Sequence, residues 1–201
     1  MKEKRRPSKI DSFLQFHQNK QIFIQERSAH VTQTTLYGYI KTRIGSRYAL
    51  MIEDKVFLDS INIAKWNIYM TALTDCTLYV FSYLIDKKNL KENDSEKIFL
   101  SILDKEFKNG LDKKIFENAK NEFIVKAKNI NWHNYHLSNP FKESGLALYK
   151  WSPIADELKV LDKEIVLNSI MLKWNLVESD LVSQWMEIRD NQFPTVSAPL
   201  L

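Results

Sequence analysis

Residues 68–85, Ile-Tyr-Met-Thr-Ala-Leu-Thr-Asp-Cys-Thr-Leu-Tyr-Val-Phe-Ser-Tyr-Leu-Ile, contain one charged side chain, Asp75. Drawn on a helical wheel from residue 55, Phe57, Ile61, Ile68, Ala72, Tyr79 and Tyr83 share one face. Met70, Phe81, Leu84 and Ile85 occupy the other. A helix that is apolar all round is buried, so the pattern predicts a central helix over about 55–85, capped by Asp54 and ended by the polar residues 86–89. A membrane span is the competing reading. It would place Asp75 near the bilayer centre at about 2.5–3.5 kcal/mol, and Thr71, Thr74, Thr77 and Ser82 dilute the run further. The sequence therefore predicts a core helix and no transmembrane segment.

What can surround such a helix follows from turn chemistry. The chain of 201 residues has four glycines, and no proline between Pro7 and Pro140. Sheets need Gly- and Pro-rich turns far more often than helices do. The expectation is all-α: a single-domain helical bundle of about six to eight helices around the central one. Residues 1–9 are read as a flexible basic tail, 10–190 as the helical domain and 191–201 as a loosely held C-terminal tail.

Local signals divide the domain. A capping pair at Ser8 and Asp11 opens a first helix that runs toward Arg43 and stops at Gly45. Asn93 with Glu96 opens a helix closed by Gly110, and Asp112 opens the next. Residues 131–139 have no period and read as an ordered loop. Asn139-Pro140 and Ser152-Pro153 each look like a helix start. The helix from Pro153 is expected to bend near Asp162 and to carry Leu158, Leu161, Ile165, Ile170 and Trp174 inward. A last helix is expected over 180–189.

The net charge of +4 is misleading. Residues 1–9 hold five basic side chains and one acid, which accounts for all of it, and the remainder balances at 24 of each sign. Residues 1–55 carry eleven basic and five acidic groups, whereas 152–201 carry four basic and eight acidic. Such an asymmetry steers a partner or pairs the two ends of one fold. The N-terminus lacks the apolar segment of a secretory signal, and the lone Cys76 reads as a small core residue. Both fit a cytoplasmic protein.

Asp75 is the candidate buried functional carboxylate. A buried carboxylate must be neutralised, paired or hydrogen-bonded, and Arg27, Arg43, Arg47 or Tyr79 are the expected partners. Near the end of the first helix, Lys41, Arg43, Ser46 and Arg47 interleave with tyrosines as candidate anion or nucleic-acid contacts. Within this region, Val31-Thr-Gln-Thr-Thr-Leu-Tyr-Gly-Tyr-Ile-Lys-Thr-Arg43 resembles the recognition helix of TetR-type repressors in its start, its leucine-tyrosine core and its basic end. The resemblance covers thirteen residues. It implies an upstream helix and turn, and one unbroken helix through residues 25–31 would exclude it.

Trp132, His133, Tyr135 and His136 form a candidate pocket loop. His133 with His136, or Glu26 with His30, are too few for a zinc or di-iron site, so no metal and no cofactor are expected. No serine sits in a nucleophile elbow, and catalysis is unsupported. The leading expectation is an intracellular helical interaction or accessory protein working through protein–protein contacts, with no reaction assignable. Two alternatives stand beside it: nucleic-acid binding through the basic N-terminal region, as a TetR-like regulator would do, and a small-molecule or enzymatic site around Asp75 and residues 132–136.

Overall fold

The computed structural model describes residues 9–88, 90 and 93–192, with side chains over 19–183. Among these residues there is no strand, and the fold is an all-α bundle. Helix α1 spans Lys9–Ile44, followed by a 3-10 turn at Gly45–Arg47 and one turn of helix, α2, at Tyr48–Met51. Helix α3 spans Lys55–Lys88, α4 Ser95–Lys108 and α5 Lys113–Asn129. A 3-10 turn at Tyr135–Leu137 leads to α6 (Lys142–Trp151), α7 (Asp156–Lys159) and α8 (Lys163–Gln192).

The chain starts and stops helices where its chemistry directs. Asp54 Oδ1 accepts the Phe57 N–H at 2.9 Å, and Asp112 Oδ1 accepts those of Lys114 and Ile115 at 2.8 and 3.2 Å. Each satisfies a donor that the first helical turn leaves open. Gly45 and Gly110, at φ of +60° and +100°, take the left-handed conformation that ends α1 and α4 cheaply only for glycine.

Helix α3 is the axis. It lies against α1, α4, α5, α6 and the 3-10 turn at 135–137. It is the one helix among the described residues long and apolar enough to cross a membrane, and 83% of that window is buried within the fold. Aromatic stacking closes the core around it: Phe99 on Phe123 at 4.0 Å, and Phe141 on Trp174 at 4.2 Å. Cys76 is buried as expected, its thiol pushed up to about 12 by burial, which leaves it protonated and inert.

The C-terminal third departs from the expectation. The two helices anticipated over 153–189 are a short α7 and one 30-residue α8. Leu158, Leu161 and Ile165, expected inside, are 60%, 87% and 66% exposed. The cause is Asp162. Its carboxylate turns inward to Arg43 Nε at 2.6 Å and the Tyr39 hydroxyl at 2.7 Å. That contact fixes the roll of α8, so Val166, Ile170, Trp174, Val177 and Leu181 face the core. The capping pair at Ser8, the basic tail and the segment from 193 lie outside the described residues.

Candidate functional site

Asp75 is fully buried, and its partners are not the expected arginines or Tyr79. Its Oδ2 accepts the backbone N–H of Ser144 at 2.8 Å and the Ser144 hydroxyl at 2.6 Å. Ser144 sits in the first turn of α6, where N–H groups lack intrahelical acceptors and the helix dipole favours negative charge. No side chain of α6's own N-terminus caps it. Asp75 thus caps α6 from across the core. Arg27 pairs instead with Asp180 at 3.1 Å, and Arg43 with Asp162.

The second oxygen of Asp75 is less well served. Oδ1 has no hydrogen-bond partner and faces Lys126 Nζ at 3.6 Å. Burial pushes the carboxyl up to about 6, against the opposing pull of Lys126 and the Ser144 bonds. Lys126 also lines a cleft of about 510 Å³ between α3, α5 and α6. Thr71, Glu122, Glu143, Lys150 and Trp151 form much of its wall, so its charges balance. The buried carboxylate is therefore connected to solvent through one lysine.

The four loop residues do not act together. His133 is exposed, and Trp132 is half-buried against the core. The Tyr135 hydroxyl donates to the Pro140 carbonyl at 3.1 Å, and burial pushes its pKa above the usual tyrosine value, toward the neutral form. His136 is buried and pinned to α3. Its backbone N–H donates to Ser82 Oγ at 2.9 Å, and that oxygen lies 3.1 Å from Nδ1. Nε2 lies 3.6 Å from Asp86 Oδ2, beyond hydrogen-bond length. Burial holds the imidazole below its usual range, toward the neutral form. Serine, histidine and aspartate meet here, but Ser82 is fully buried, and the cluster fastens the loop to α3.

At the end of α1, Lys41, Ser46 and Arg47 are exposed, as an anion contact requires. Arg43 is committed to Asp162 and to the Leu158 carbonyl, which receives its guanidinium N–H. Residues 25–43 lie on one uninterrupted helix, so the turn that the TetR resemblance implied does not exist. Among the described residues, no three His, Cys, Asp or Glu side chains gather as metal ligands would.

Two features were not read from the sequence. The first is a cleft of about 400 Å³ between α1, α3 and α4, walled by Trp66. At its base, buried Glu106 accepts from Gln25 Nε2 at 2.6 Å and from the Tyr69 hydroxyl at 2.9 Å. The second is the outer face of α7 and α8. Leu158 on α7, Leu161 in the turn that follows, and Ile165, Leu172 and Leu176 on α8 are all at least 60% exposed. Leu50 on α2 and Val56 and Ile63 on α3 are exposed as well. The chain matches no protein-family model, no characterised protein and no solved structure.

Proposed function

We propose that this chain is a helical interaction domain that docks a protein through the outer apolar face of α7 and α8. The observation that carries the reading is that face itself. Isolated exposed leucines are ordinary, but exposed apolar side chains repeated along one side of a helix, as Ile165, Leu172 and Leu176 are on α8, mark an interaction surface. Burying four such side chains contributes on the order of 5 kcal/mol before association entropy is subtracted. The contact is therefore weak unless a second surface adds to it. A photo-crosslinking residue at Asn168, in the middle of the face, should capture a specific protein in cells. The adduct should vanish in Leu172→Asp and be missing when the probe sits at Lys113 on α5. Equal labelling from both positions would end this reading.

A second reading is supported by the cleft that leads to Lys126. A small amphipathic molecule with an anionic group would meet the lysine there, against the wall of Trp151. Thermal-shift screening with small carboxylates and phosphates should find a stabilising ligand whose effect Lys126→Met removes. A screen with no shift dependent on Lys126 would eliminate it.

A further inference from the structure

The cleft between α1, α3 and α4 holds a buried charge that the fold serves only with neutral groups. Glu106, on the inner face of α4, is 8% exposed. Its Oε1 accepts from Gln25 Nε2 at 2.6 Å and from the Tyr69 hydroxyl at 2.9 Å. Its Oε2 accepts one long bond, from Asn109 Nδ2 at 3.3 Å. Among the described residues no cation lies within ion-pair distance of it. The adjacent Lys105 turns its ammonium to Gln25 Oε1, 3.0 Å away, and so meets the carboxylate only through that amide. A carboxylate offers about four acceptor sites, and buried charges are ordinarily paired. Glu106 has room for one more donor, and a charged donor makes the strongest bond.

The walls suit the rest of such a molecule. Glu106 shares the cleft with Ile22, Ala29, Trp66 and Tyr69, an apolar and aromatic surface. The Trp66 and Tyr69 rings tilt at 49° with their centres 6.2 Å apart. The Trp66 ring already receives a cation, because Lys65 Nζ lies 5.0 Å from its centre. Thr32, in the same wall and 1% exposed, keeps a hydroxyl with no hydrogen-bond partner, so the wall has bonding capacity that the fold does not use. The two lysines of the lining are engaged, one at Trp66 and one at Gln25, while Glu26 adds a second acid. A volume of about 400 Å³ is within the range of small-molecule sites. We infer that this cleft binds a primary ammonium carrying a compact apolar body. The ammonium donates to Glu106, and the body lies against Trp66 and Ile22. A neutral molecule of the same shape leaves the carboxylate's charge unmatched. The inference is independent of the docking face of α8 and of the anion reading at Lys126, which concern other parts of the bundle.

Isothermal titration of the full-length chain at neutral pH with phenethylamine and with phenethyl alcohol tests it, because the two share a body and differ in charge. The amine should bind about tenfold or more tighter than the alcohol, as a charge-assisted hydrogen bond requires. Glu106→Gln, folded as judged by circular dichroism, should bring the amine down to the level of the alcohol. Trp66→Ala, at a half-buried position, should weaken both alike, and Lys126→Met, in the other cleft, should weaken neither. Equal affinities in the parent, or no binding of the amine, overturn the inference, and so does a preference that survives in Glu106→Gln. Tighter binding of phenylacetate than of the amine would place the contact at the lysines and overturn it as well. Should Glu106→Gln fail to fold, Trp66→Ala decides: an amine affinity unchanged there overturns the inference.

Discussion

Helices α3 and α8 break the inside-out pattern of a soluble fold in opposite directions. Helix α3 carries polar groups inward: Asp75, Thr77 and Ser82 are fully buried. Each is tied to a partner. Asp75 caps α6, Thr77 donates to the Leu73 carbonyl at 2.7 Å, and Ser82 holds His136. Helix α8 leaves apolar groups outward, where Ile165, Leu172 and Leu176 stay 60–66% exposed. The polar exceptions on α3 are met within the chain, apart from Asp75 Oδ1, which has Lys126 Nζ at 3.6 Å and no hydrogen bond. The apolar exceptions on α8 are not, which is the ground for proposing an interaction surface there and not around Asp75.

The widest separation between inside and outside falls on α8 itself, two residues apart. Trp174 is fully buried against Phe141, whereas Leu172 is 66% exposed. Trp174→Ala should cost about 3–5 kcal/mol in urea unfolding, as large-to-small core substitutions do. Leu172→Ala should stay within about 0.5 kcal/mol of the parent. Similar losses from the two would erase the distinction between the faces.

The next effect is pH dependence. The Asp75 carboxyl is pushed up to about 6 in the fold from 3.8 in the unfolded chain, so the folded state holds its proton more tightly. Stability from this group is then greatest at low pH and falls as pH rises from 3.8 through about 6. The full loss is about 3 kcal/mol. His136 acts in the opposite sense. Its folded value is lowered from 6.5, so its contribution grows as pH rises toward 6.5. Asp75→Asn, which keeps an oxygen for Ser144, should remove the downward slope and uncover the upward one in chemical denaturation at several pH values. An unchanged profile would show that Asp75 is not the titrating group.

A smaller effect concerns the lysine beside it. Lys126→Met removes the ammonium that faces Asp75 Oδ1. Since the lysine is 34% exposed and partly screened, the loss should be about 1–2 kcal/mol at neutral pH. It should disappear below 3.8, where Asp75 is neutral in both variants. A loss that persists there would mean that the aliphatic stem of Lys126 matters more than its charge.

Helix existence was legible because its signals are local: Asp54 and Asp112 as caps, Gly45 and Gly110 as stops, and an apolar run too complete to sit on a surface. The roll of α8 was not. Apolar residues occupy both of its faces, and periodicity alone cannot choose between Ile165 with Leu172 and Val166 with Ile170. The choice is made by Asp162, through contacts with Tyr39 and Arg43 that lie more than a hundred residues away. Asp75 was legible as an anomaly, but its partner was not. Ser144 carries no charge to suggest pairing, and what draws the carboxylate is the end of a helix. Glu106 left a fainter signal, a carboxylate continuing the inner face of Phe99, Ile102 and Leu103. Its partners Gln25 and Tyr69 stand on two other helices and share no motif with it.

The proposal that α8 carries a core on one side and an interface on the other is tested most directly by crosslinking from its outer side. A photo-reactive residue at Asn168 should capture a specific protein, and Leu172→Asp should abolish the adduct while leaving the circular dichroism spectrum unaltered. No adduct, or an adduct that Leu172→Asp leaves intact, would contradict it.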